Sequence, residues 1–177
     1  TMGRDYQIDT LKDQGFDAIY LSIGAMAAKP TGIPGDAAEG VMSAIKFLAD
    51  VNRNQPVNVG ERVIVIGGGF TAADAVRTAR RVGASEVTMM YRRTRKEMSA
   101  AAHEIHECDV EGVKFDFLAA PVSVKVENGR VVGLTSRRME LGEPDDSGRR
   151  RPVPIPGTEY FTPANTILMA IGQDVDV

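Results

Sequence analysis

Cysteine is nearly absent from this sequence of 177 residues, and Cys108 alone cannot form an internal disulfide. A single cysteine also excludes a Cys-x-x-Cys redox pair and a cysteine-ligated iron–sulfur cluster within the chain, which makes a reducing cytoplasm the simplest setting. Long apolar runs are lacking too. Stretches such as Ala18 to Ile23 are far too short to span a bilayer. Residues 1–15 are polar and charged, unlike a signal peptide. Neither sign of charge is in large excess: the formal net charge of −3 gives no reason to expect nucleic acid or an anionic membrane as a partner. Apolar and charged fractions of 43% and 25% are ordinary for a soluble globular protein. The length suffices for one full α/β domain with a real core, or slightly more.

What is present centres on residues 62–95, RVIVIGGGFTAADAVRTARRVGASEVTMMYRRTR. Val63 to Ile66 are consecutive apolar residues, as suits a strand buried on both faces of a parallel sheet. Three glycines follow, then a run in which Ala72, Val76, Ala79 and Val82 share one helical face and Arg77, Arg80 and Arg81 lie off it. Val87 to Tyr91 predicts a second strand. Strand, tight turn, helix and strand make a βαβ unit, and the turn reads Gly67-x-Gly69-x-x-Ala72, a dinucleotide fingerprint in its proper context. Gly67 permits the tight turn, and Gly69, without a Cβ, lets a pyrophosphate approach the backbone. Ala72 lets the helix pack closely on the strand. The free N–H groups at the helix start then hold the phosphates. Read otherwise, the glycine turn serves packing alone.

The end of the second strand bears on which nucleotide is bound. An NAD site tends to carry an acid about 20 residues past the glycines, an NADP site an arginine. Here Tyr91 is followed by Arg92, Arg93, Thr94, Arg95 and Lys96, with no acid before Glu97. Arginine suits a phosphate because its planar fork donates two parallel hydrogen bonds. NADP is favoured over a merely solvated basic corner.

Elsewhere, the spacing predicts a helical turn or two around Leu11, a buried strand over Asp17–Gly24, a loop over 25–39 and a helix from about 40 to 53 on the face of Val41, Ala44, Ile45, Leu48 and Val51. Met98, Ala101, Ala102, Ile105 and Cys108 mark another helix ending near Gly112, and Lys114 to Leu118 a third parallel strand. The pattern then turns to period two. Val122, Val124 and Val126 alternate with polar residues, Asn128-Gly129 makes a two-residue hairpin turn, and a return strand runs from Arg130 to about Met139. Residues 140–158 read as a long surface loop, acidic in its first half and basic and proline-rich in its second. Asn165 to Ile171 predicts a buried strand. The expected fold is α/β, a Rossmann-like parallel sheet with an inserted antiparallel β-meander. The chain ends five residues after Gly172, as expected of a piece excised from a longer protein.

Several constellations carry no chemistry. His103 and His106 lack the His-x-x-x-His spacing of a zinc helix, because position 107 is Glu. Arg149 to Arg151 follow an acidic patch, so they could bind phosphate or an acidic partner, or compensate that patch. No Tyr-x-x-x-Lys pair follows any of the four tyrosines, which argues against a short-chain dehydrogenase. No nucleophile stands with a base.

From VIVIGGGFTAADAVRTARRVGASEVTMMYRRTRKEM the sequence resembles the NADPH domain of the glutamate synthase small (β) subunit family. The N-terminal half of dihydropyrimidine dehydrogenase and the larger subunit of NADH-dependent ferredoxin:NADP oxidoreductases are related. DAIYLSIGA with GIPG at 32–35, RMELGEPDDSGRRRPVPIPG, and AIGQ at 170–173 resemble three further family blocks in the same order. The resemblance implies a two-dinucleotide-domain flavoprotein whose FAD domain is interrupted by the NADPH domain. Residues 1–28 would belong to the junction with the FAD domain, 29–171 to the NADPH domain and 172–177 to the return. NADPH would pass electrons to FAD and through iron–sulfur clusters to an iron–sulfur or large catalytic subunit. FAD and the clusters are expected outside this chain. Carried over by position, Gly67, Gly68, Gly69, Phe70, Thr71 and Ala72 would surround the pyrophosphate. Arg92 and Arg93, with Arg95, would hold the 2′-phosphate, and Ala170, Ile171 and Gly172 would lie near the nicotinamide. No catalytic side chain and no metal ligand are expected. Three departures stand out: Ser22-Ile23 for Ala-Thr, Phe70 for Asn or Asp, and Ser99 for Pro. Two other readings stay open, a non-enzymatic NADP(H)-sensing or interaction module and a self-sufficient dehydrogenase.

Overall fold

The computed structural model describes residues 7–22 and 24–175. The outermost residues of the expected FAD-domain junction and the Ile23 departure lie outside the described residues. The chain divides into two compact units, residues 1–27 with 173–177, and residues 28–172.

In the smaller unit, helix α1 (Ile8–Asp13) surrounds Leu11. Among the described residues of Asp17–Gly24, the predicted strand does not form: Tyr20 is 92% exposed and Leu21 52%. An apolar run becomes a strand only by hydrogen bonding to a neighbour, and no described residue runs alongside. The two-residue strand β1 (Ala27–Ala28) closes this part of the chain.

The larger unit begins with turns, then β2 (Val41–Ser43), α2 (Ala44–Asn52), β3 (Arg62–Ile66), α3 (Phe70–Arg81) and β4 (Glu86–Tyr91). The helix predicted from about 40 thus starts later, and Val41 belongs to a strand. Gly40 has φ +97, Val41 to Ser43 pair with a parallel neighbour, and the extended Ser43 accepts the Lys46 N–H as an N-cap. After β4 come a 3₁₀ turn (Arg95–Glu97), α4 (Ala102–Val110), β5 (Lys114–Phe117), β6 (Ala119–Glu127) and β7 (Arg130–Pro144). Met98 sits between the 3₁₀ turn and α4, outside the helix it was expected to join.

The 140–158 segment is not a loop. β7 continues to Pro144 and returns as β8 (Arg150–Pro154) through a turn in which Asp145 accepts the Ser147 N–H and Gly148 has φ +75. Pro152 and Pro154 sit on this edge strand, where a missing N–H leaves no gap in the ladder. β9 (Tyr160–Pro163), absent from the sequence reading, pairs with the first half of β7. β10 (Thr166–Met169) is buried throughout, and β11 (Gln173–Asp174) lies near the end of the chain.

Five strands make a parallel sheet in the order β2-β10-β3-β4-β5. Alternation in β3 divides two cores. Val63 and Val65 join the α2–α3–α4 layer, while Ile64 and Ile66 join the meander with Leu134, Ile167 and Met169. All four are at most 5% exposed, each contributing about 1.5–3 kcal/mol of burial. The unit is α/β, with helices on one face of a parallel sheet and an antiparallel meander on the other. Ala72, Ala73, Ala75, Val76 and Ala79 are all fully buried in α3. This apolar face is wider than the predicted stripe, because α2 and α4 flank α3 on both sides. Arg77 is accordingly half-buried, reaching Glu104 at 2.9 Å, Glu107 at 3.3 Å and Glu111 at 2.7 Å.

Candidate dinucleotide-binding site

Three chain segments leave the same edge of the parallel sheet: Gly67–Gly69 after β3, Arg92–Arg95 after β4 and Ala170–Gly172 after β10. Strands run outward from β3 through β4 and β5 on one side, while β10 lies on the other. The carboxyl ends of β3 and β10 therefore bound a topological switch point, where open α/β sheets bind ligands.

The glycine turn is glycine at each position for a separate reason. Gly67 has φ +150, and a Cβ there would run into the Ala170 carbonyl oxygen. A Cβ on Gly68 would lie 2.6 Å from the Tyr91 ring. Gly69 is the extended N-cap of α3 and puts no side chain over the start of the helix. The positive end of the helix dipole there favours an anion. Gly67 donates to Met90 O at 3.0 Å and Ala170 to Ile66 O at 2.8 Å, so the turn and the 170–172 segment are joined by backbone. Ala72 is fully buried against the sheet, Thr71 is partly buried, and Phe70 stands 56% exposed beside the turn. Ile171 is 43% exposed, and Gly172, at φ +116, accepts the Lys29 N–H.

The three arginines of the basic corner do not stand alike. Arg92 is exposed and, among the described residues, without a hydrogen-bond or ion-pair partner. Arg93 is 3% exposed. Its Nη2 donates to Asp145 Oδ2 at 2.6 Å and its Nε to Arg150 O at 2.7 Å, so it is bound into the β7–β8 turn. Arg95 makes a two-pronged pair with Asp109 at 2.7 and 2.9 Å and lies 4.5 Å over the Phe115 ring. The Arg95 guanidinium holds the Asp109 carboxyl below its usual range. The 3₁₀ turn itself is fixed by a capping box, in which Thr94 bonds Glu97 and lowers its carboxyl pKa.

Sequence reasoning missed two contacts at this edge. Tyr91 packs on Gly68 and donates its hydroxyl to Glu97 O at 2.8 Å. Asp145 neutralises Arg93 from 52 residues away; only tertiary structure reveals that pair. A cleft of about 680 Å³ lies at the opposite edge, where β2, β3 and β10 begin, lined by Gly40, Asn58, Gly60 and Asn165. It shares no residue with the glycine turn.

The sequence matches the family profile of pyridine nucleotide-disulphide oxidoreductases over residues 4–177. The chain belongs to this family. It is 46% identical over 180 residues to the NADPH-Fe(3+) oxidoreductase subunit beta of Geobacter sulfurreducens, covering 99% of the chain and 27% of that protein. It is 39% identical over 184 residues to the glutamate synthase [NADPH] small chain of Escherichia coli, covering 97% of the chain and 39% of that protein. The resemblance first carried by sequence motifs therefore extends over nearly the whole chain, while the chain spans only a quarter to two-fifths of these relatives. Mycobacterium tuberculosis FprA in complex with NADPH has the same fold, with a TM-score of 0.81 at 20% identity over 98% of this chain and 53% of FprA. Among the described residues, no helix is long and apolar enough to cross a membrane.

Proposed function

We propose that residues 29–171 bind NADPH and orient it within a larger flavin-dependent oxidoreductase resembling the glutamate synthase small subunit. One observation carries the reading. At the switch point, Gly67 and Gly68 have no room for a Cβ, and Gly69 puts no side chain over the start of α3. That cradle fits a pyrophosphate. Gly67 to Ala72 would hold the phosphates. Arg92, the unpaired arginine of the basic corner, would hold the 2′-phosphate, with Arg93 and Arg95 framing the corner through Asp145 and Asp109. Ala170 to Gly172 would border the nicotinamide half.

Bound NADPH supplies the hydride; this chain contributes position. Its share of the chemistry would be binding and alignment rather than acid–base catalysis. We assign residues 1–28 and 172–177 to the junction with an FAD-binding domain outside this chain. Iron–sulfur clusters and a large catalytic subunit would complete the electron path, in the cytoplasm. The names of the relatives, which pair NADPH with subunit or small-chain status, support NADPH use within a larger assembly.

Calorimetric titration of the chain with NADPH and with NADH tests the proposal. Tighter binding of NADPH supports it, and Arg92→Ala should then weaken NADPH by about 10- to 100-fold while leaving NADH unchanged. Binding of neither nucleotide would overturn it.

A further inference from the structure

A second segment reaches the glycine turn from 30 residues further along the chain. Ser99 and Ala100 both donate their backbone N–H to Gly68 O, at 3.1 and 3.3 Å. Behind them, the Thr94–Glu97 capping box and the Tyr91 hydroxyl on Glu97 O hold the 94–100 segment in place. These contacts use the backbone. The Ser99 side chain is left over: its Oγ lies 3.1 Å from the point a Cβ on Gly69 would occupy. Ser99 is exposed, and among the described residues its hydroxyl has no hydrogen-bond partner. Other serines are engaged: Ser43 caps α2, Ser85 donates to Glu61 O and the buried Ser136 to Met90 Sδ.

A hydroxyl carried on a backbone held by two amide hydrogen bonds, and facing an N-cap glycine, is a ready-made donor. An anion at the start of α3 would meet helix amides on one side and Ser99 Oγ on the other. O–H to charged oxygen is a short, strong hydrogen bond. We infer that Ser99 is a pyrophosphate ligand, donating its hydroxyl to a phosphate oxygen held at Gly69. The inference rests on the nucleotide reading above and adds a contact from outside the glycine fingerprint. Because the pyrophosphate is common to both nicotinamide nucleotides, Ser99 sets affinity without setting the choice between them. Arg92 sets the choice, by acting on NADPH alone.

The chain, Ser99→Ala and Ser99→Thr would each be titrated with NADPH and NADH, with Tm measured alongside. Ser99→Ala should weaken both nucleotides about tenfold or more. The NADPH-to-NADH ratio and Tm should stay put, because the amide on Gly68 remains. Ser99→Thr keeps the hydroxyl and should stay within about threefold of the parent. Unchanged affinity in Ser99→Ala, with the parent binding normally, overturns the Ser99 assignment and leaves the nucleotide reading intact. Equal weakening in both variants with a lowered Tm assigns Ser99 to structure alone and also overturns it. Failure of the parent to bind either nucleotide overturns both.

Discussion

The glycine turn and the basic corner leave adjacent strands at the same edge of the sheet, yet as proposed charge-binding elements they would work by opposite means. In the turn, recognition would come from missing side chains: the neighbours of Gly67 and Gly68 fill the space a Cβ would need, and Gly69 puts no side chain over the start of α3. In the corner it would come from side chains, and availability depends on what else the fold brings near. Arg92 and Arg93 are consecutive, but one is exposed and unpaired while the other is buried on Asp145 and Arg150. A residue type can be read from sequence; its vacancy cannot.

The largest effect should come from breaking the turn. Gly67→Ala forces a Cβ into the Ala170 carbonyl at φ +150, and overpacking with backbone strain should cost about 3 kcal/mol or more. Thermal denaturation reads this directly, and nucleotide binding should be lost with it. In the corner, Arg93→Met should act on stability. Losing the bond from Nε to Arg150 O costs about 1.5–3 kcal/mol, or a Tm lower by roughly 3–12 °C. Arg92→Met should leave Tm unchanged. Equal Tm values for the two variants would erase the distinction between them.

Acid should loosen the basic corner and the far end of α3 in the same direction. At the end of α3 opposite the glycine turn, burial pushes the Glu111 carboxyl up, but hydrogen bonds from Arg77 and Arg81 outweigh it and hold the pKa below 4.5. In the corner, the Ser147 hydroxyl bond, with Arg93 nearby, lowers Asp145. A depressed carboxyl contributes stability above its unfolded pKa and loses it as pH falls through the folded value. Tm should therefore hold above about pH 5 and fall below 4.5. The advantage of the parent over Glu111→Gln should shrink across that fall, as measured by thermal melts at successive pH values. The smallest effect belongs to Cys108, where burial pushes the thiol up to about 11. It should resist alkylation at pH 8 in the native state and react on unfolding.

The β3–α3–β4 unit was legible because three local signals agree: an apolar run, a glycine turn and an alanine-rich helical face. Asn128-Gly129 was legible for the same reason, with positive φ at both residues matching the hairpin. Where local and tertiary signals diverge, sequence falls short. Val41 fits a helical face, yet parallel pairing with β10 takes it into a strand. Pro152 and Pro154 suggest a loop, but they sit on an edge where proline costs no ladder bond. The run over Asp17–Gly24 has strand composition and no strand beside it. At the candidate site, Gly67, Gly68, Gly69 and Arg92 could be picked out from the sequence. Ser99 could not, because its relation to Gly69 depends on the 94–100 segment folding back over the turn.

The most direct test compares Arg92→Met and Arg93→Met, each titrated calorimetrically with NADPH and NADH at one fixed ionic strength. A 2′-phosphate held by Arg92 predicts that the preference for NADPH collapses in Arg92→Met and survives in folded Arg93→Met. A preference that survives the loss of Arg92 and disappears with Arg93 would contradict it.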